Sequence, residues 1–160
     1  MAPISFLFFS IFCFSLYFIL RFRVILPSNK KVKDLKIPKK RFVLNVLEWC
    51  STNLGSLRNG YELDIKYHRH KEYAGYYFNH TRTIQIFVFD ELDLLDLTET
   101  IIHEYVHHIQ YNKKKTDSEY NKHQNEVGYW NNPFEVEARN LSKKYKLKCY
   151  EDVVNSKRVV

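Results

Sequence analysis

The chain has 160 residues, enough for one compact domain plus an appendage but not for a second catalytic domain. Hydrophobic residues make up 45% and aromatics 16%, with few Gly and Pro, a balance that excludes a disordered or low-complexity chain. The net charge of +7 suits an anionic partner. Much of the excess (Arg21, Arg23, Lys30, Lys31, Lys33) follows directly on an apolar N-terminus, so a membrane surface is expected and no specific nucleic acid.

Residues 4–20 are apolar, aromatic or small hydroxyl residues without a charge, the pattern of a single transmembrane helix near the lower length limit. No basic residue precedes the run and no small-residue cleavage pattern follows it, so residues 1–26 read as a retained anchor rather than a cleaved signal. The positive charge behind the span predicts a single-pass membrane protein whose remaining domain faces the cytoplasm. Residues 27–41 are Lys-rich, with too few apolar positions to fold alone, and are expected to form a basic juxtamembrane linker leading to a domain at 42–160. Cys13, Cys50 and Cys149 show no paired spacing, which points to a reducing compartment, although Cys50 and Cys149 could pair if the fold joined them.

Within the domain, Phe42, Val43, Val46, Leu47, Trp49 and Cys50 recur at helical spacing and Gly55 marks a stop. Leu63 and Ile65 then alternate with charged residues, and residues 73–78 and 83–89 are aromatic and β-branched runs joined by a short turn. A small antiparallel sheet is expected. Asp96 with Glu99 resembles a helix start, and Ile101, Ile102, Tyr105, Val106 and Ile109 supply the buried face of the helix that follows, to about Asn112. Residues 112–128 are polar and predict an exposed loop or loose helix, before Asn132-Pro133 opens a last helix with Phe134, Ala138, Leu141 and Tyr145 on one side. The predicted class is α+β, the sheet packed on two helices behind an N-terminal transmembrane helix.

His103-Glu104-Tyr105-Val106-His107 is an HExxH motif inside the central predicted helix. Two imidazoles four residues apart project from the same face and can share one cation, for which Zn2+ is the expected choice. Glu104 between them is placed as general base toward a zinc-activated water. A catalytic zinc needs a third protein ligand, and Gln110 and Lys113 rule out HExxHxxGxxH. Glu135 and Glu137 are the candidates, with His123 a further one. The two carboxylates point roughly 200° apart on a helix, so only one can face the metal. Glu135 also stands three residues after Asn132, where it could cap the helix instead.

These residues, HExxH followed by the Glu-x-Glu-Ala helix at 135–138, resemble the gluzincin-type zinc metallopeptidases, and in particular compact members such as the minigluzincins and the ImmA/IrrE-like peptidases. The resemblance covers residues 103–145, with a weaker echo in the preceding hairpin, which in such peptidases pairs with extended substrate. It implies a peptidase with one zinc per chain, His103, His107 and Glu135 as ligands, Glu104 as the catalytic base, and protein or peptide as substrate. One departure is plain: many gluzincins place Asp four residues after the ligand glutamate, to hold a zinc histidine, and Arg139 stands there here.

Two other classes fit the same residues: a catalytically inactive, zinc-stabilised binding domain using the aromatic hairpin, and a SprT-like, nucleic-acid-associated protease whose third ligand would be a histidine. Among the remaining polar residues, His108 is expected on the helix surface, His68, His70 and His80 in solvent, and Trp130 in the core beside the last helix. Tyr111, Tyr120 and Tyr129 are candidates for donating to a developing oxyanion, with nothing to choose among them.

Overall fold

The computed structural model describes residues 30–114 and 117–157. In chain order they form helix α1 (Lys39–Asn53), strands β1 (Glu62–Lys66), β2 (Gly75–Phe78) and β3 (Thr83–Phe87), and helices α2 (Leu94–Lys114), α3 (Asp117–Asn131) and α4 (Pro133–Lys157). The architecture is α+β. Among the described residues no helix is long and apolar enough to cross a membrane, and the apolar run expected to do so lies outside them.

The sheet is mixed, which corrects the antiparallel expectation. Its order is β1-β3-β2. The β2–β3 hairpin is antiparallel, with Tyr77 opposite Ile84, but β1 runs parallel to β3, with Leu63 opposite Ile84 and Ile65 opposite Ile86. After β1 the chain passes β3's position, forms β2 at the edge, and turns back through residues 79–82, where Arg82 takes φ 54°. The reason is burial: Ile84 and Ile86 are fully buried, and the centre of the sheet is where the strand carrying them is covered. Each such side chain contributes about 1.5–3 kcal/mol when taken out of water.

The basic stretch expected to be a juxtamembrane linker packs on the domain from residue 30 onward. Val32 is buried, and Leu35 and Ile37 lie against the core. The Val32 amide donates to the Leu92 carbonyl and the Leu94 amide to the Lys30 carbonyl, while Lys39 pairs with Asp90 at 2.8 Å. The apolar residues between the lysines find cover that residues 30–38 could not make alone, while Lys33, Lys36 and Lys40 stay exposed and the Lys31 ammonium donates to the Glu91 carbonyl at 3.0 Å.

α2 runs through the middle of the domain, touching α1, β2, β3 and α4. Its cap is Asp93 rather than Asp96: Asp93 Oδ1 accepts from the Leu95 amide at 2.8 Å, and the Thr98 hydroxyl donates back to the Leu94 carbonyl, which places Thr98 inside the helix. Leu94, Leu97, Ile101, Ile102, Tyr105, Val106 and Ile109 are buried. α3 occupies part of the polar stretch expected to be a loop or loose helix. It has no buried residue, and Gly128 breaks it with φ 74°. At α4, Asn132 Oδ1 accepts from the Phe134 amide while its Nδ2 donates to the Tyr120 carbonyl, so one buried cap ties α3 to the start of α4.

Candidate metal centre

The apolar face of α2 fixes the helix's rotation about its axis, and that rotation brings the polar residues of HExxH toward α4 and the sheet edge. His103 and His107 stand one turn apart with their Nε2 atoms 3.1 Å from each other. From the first turn of α4, Glu135 Oε2 lies 3.4 Å from His103 Nε2 and Glu135 Oε1 lies 3.3 Å from His107 Nε2. One ligand atom from each of the three falls within 4.8 Å of the others, close enough to bind a metal ion.

The donor chemistry fits a cation. Glu135 is buried, and its Oε2 has no hydrogen-bond partner although Oε1 accepts from the Tyr120 hydroxyl at 2.9 Å. Two imidazole nitrogens facing each other and one orphaned carboxylate oxygen present more lone pairs than the available protons can satisfy; a positive ion among them satisfies all three. Burial pushes the Glu135 carboxyl up, but the neighbouring imidazoles of His103 and His107 and the Tyr120 hydroxyl outweigh it and hold the group well below the usual carboxylate range, ionised as a ligand must be. Tyr129 stands near Glu135, whose charge helps raise its hydroxyl beyond the raising by burial, and Arg139 Nη1 lies 3.9 Å from Oε2.

Glu104 is buried beside this group. Burial raises its carboxyl above the ordinary value, against the opposing pull of His107 and His103. Its neighbour is the sheet edge: a Cβ placed on Gly75 of β2 would stand 2.8 Å from Glu104 Cγ, so the strand's backbone passes directly over the carboxylate's stem. A hollow opens on each side of the site. One, of about 400 Å³, is bordered by Glu72, Glu99, Arg139 and Lys143; the other, of about 160 Å³, by Tyr76, Tyr77, Tyr111 and Tyr120. Tyr73, Gly75, His103, Glu104 and Tyr129 border both, so the two form one cleft across the candidate centre.

No family model, curated protein or solved structure matches this chain.

The other expected residues fall in several places. Glu137 faces away from the imidazoles, and its Oε2 accepts from Gln110 Nε2 at 3.1 Å. His123 is outside the ligand group and lies near Glu126 and the Phe134 ring. His108, expected on the surface, is 1% exposed, set among the rings of Tyr61, Tyr77 and Tyr105, with Nδ1 3.2 Å from the Tyr77 hydroxyl. Burial pulls it down to about 4, so it is a neutral core residue. Trp130, expected in the core, is 73% exposed; its carbonyl accepts from Arg139, whose guanidinium lies over its ring. His68 and His80 are exposed, His80 reaching Asp117, whereas His70, expected in solvent, is half-buried, stacks on the Tyr73 ring and accepts at Nδ1 from the amides of Glu72 and Tyr73.

Two contributors were not singled out from the sequence. Gly75 had no signal beyond being a glycine in a strand, which marks a close backbone approach. Gln110 lies three residues after His107 on the same helix face, a spacing that could have flagged it. The choice of Tyr120 and Tyr129 over Tyr111 at Glu135 depends on the path of α3, which carries no local pattern.

Proposed function

We propose that this chain is a zinc-dependent peptidase, tethered to a membrane by its N-terminal segment with the domain on the cytoplasmic side, and that it hydrolyses protein or peptide substrates with Glu104 as general base. The observation that carries this reading is the convergence of His103, His107 and Glu135 with a buried Glu104 in an open cleft beside an edge strand. Two imidazoles and a carboxylate are the donor set that zinc takes in hydrolytic sites with an open position. A zinc ion held there would supply the Lewis acidity that polarises the scissile carbonyl and makes water nucleophilic at neutral pH.

The chain's own residues do the rest. Glu104 accepts the proton of the attacking water and passes it to the departing amine nitrogen, a task suited to a carboxyl held above its ordinary value. The unpaired side of β2 offers backbone donors and acceptors to an extended peptide, which it would hold across the cleft next to Glu104. The resemblance to gluzincins points to the same roles.

Metal analysis of the full chain in detergent tests the reading. We expect about one zinc per chain, lost in His103→Ala, weakened in Glu135→Gln and kept in Glu137→Gln. Glu104→Gln should keep its zinc and lose hydrolysis by about 10²- to 10⁴-fold. Undiminished turnover in Glu104→Gln would sink the mechanism. A folded, zinc-loaded wild type that cleaves no substrate would leave a zinc-stabilised binding domain.

A further inference from the structure

Gln110 lies one turn beyond His107 on α2 and is 3% exposed. Its amide has three partners. Oε1 lies 2.8 Å from His107 Nδ1, while Nε2 donates to the Phe134 carbonyl at 2.9 Å and to Glu137 Oε2 at 3.1 Å. The last two decide which end of the amide is which: a carbonyl and a carboxylate only accept, so the atom facing both is the NH2 group. The oxygen is then left facing His107. Because an amide oxygen only accepts, the proton of the neutral His107 ring sits on Nδ1 and the lone pair on Nε2, the atom turned toward His103 and Glu135.

We infer that Gln110 is a positioning residue for the metal centre, holding His107 in its ligating tautomer while fixing the start of α4 that carries Glu135. The inference rests on the metal-binding half of the proposed function and not on hydrolysis. One side chain reaches both ligand-bearing helices: it orients a ligand on α2, and through the Phe134 carbonyl it grips the residue immediately before Glu135. Glu137 serves the arrangement from behind, since its carboxylate fixes the direction of the amide. Ligating histidines are commonly backed by a carboxylate or a backbone carbonyl. Here a neutral amide does the orienting, and the negative charge stands one bond further from the ring. This also gives the second glutamate of the Glu-x-Glu helix a use.

The test is nitrogen–proton correlation NMR of the imidazoles in the metal-free full chain in detergent, in solution alkaline enough to keep them neutral. The wild type should carry the His107 proton on Nδ1. In Gln110→Leu the ring should redistribute toward the Nε2-protonated form, and the zinc dissociation constant, read by competition with a chromophoric chelator, should rise about 10- to 100-fold. Gln110→Glu keeps an acceptor at Nδ1 and should keep the tautomer, but it loses the donor to the Phe134 carbonyl and Glu137 and should lose part of the zinc affinity with it. A wild-type His107 protonated on Nε2, which is measurable without any variant, overturns the inference, as does unchanged zinc affinity in a folded Gln110→Leu. Neither readout involves turnover. A protein that meets both expectations yet cleaves nothing would therefore remove the peptidase reading and leave this one standing.

Discussion

Glu104 and Glu135 are both buried in one cleft, yet their surroundings push them in opposite directions: burial raises Glu104, while the imidazoles and the Tyr120 hydroxyl overcome burial and lower Glu135. In the function proposed, that divergence would separate a proton acceptor from a ligand. The thiols show burial acting without such partners. Cys50 and Cys149 are free and buried; burial raises both, and Asp152 helps push Cys149 up to about 12. A thiol raised in the folded state contributes stability that is fully present below its ordinary value of about 8.5 and is lost as pH rises through the folded value. Stability measured against denaturant should therefore fall as the solution is taken above about pH 8.5. Below that, neither thiol should react with iodoacetamide until the chain unfolds, and peptide mapping separates the two from Cys13. Rapid alkylation of the native protein would show that one of them is accessible.

Among the elements, β2 is the one whose position most affects the chemistry proposed. Residues 67–74 carry it to the sheet edge, where one side pairs with β3 and Gly75 lies against α2. A methyl group at position 75 would stand 2.8 Å from Glu104 Cγ and 2.9 Å from Thr100 Cγ2, so Gly75→Ala must displace the carboxylate's stem or lift the strand. Turnover should drop by about 10- to 100-fold while zinc content stays unchanged. Unaltered turnover would mean that the strand does not press on Glu104 in solution. At α4, Asn132 caps the helix, which leaves the Glu135 side chain turned to the imidazoles instead of serving as a cap partner.

For the molecule as a whole, the candidate ligands join the two helices that make the largest contact in the domain, α2 and α4. An ion held by both stabilises the folded state by mass action, by about 4 kcal/mol when free zinc exceeds its dissociation constant a thousandfold. The thermal midpoint should rise with added zinc and fall on chelation, and His103→Ala should be insensitive to both. Identical unfolding curves with and without zinc would argue against an ion bridging these helices.

Local pattern was enough for much of this molecule. The buried face of α1, the positions of the three strands, the core positions of α2 and the Pro133 start of α4 follow from spacing and capping, because a helix or strand declares itself within a few neighbouring residues. The four-residue interval of His103 and His107 likewise implies a shared face whatever surrounds it. Tertiary packing decided the rest. Strand order depends on which strand is best covered, and local alternation does not encode it, so the sheet became mixed. His108 and Trp130 exchanged their expected places because burial depends on what packs over a residue rather than on its own chemistry. The choice between Glu135 and Glu137, with Gln110 taking the second carboxylate, came from the rotation of α4 against α2, which the apolar faces of two distant segments set together.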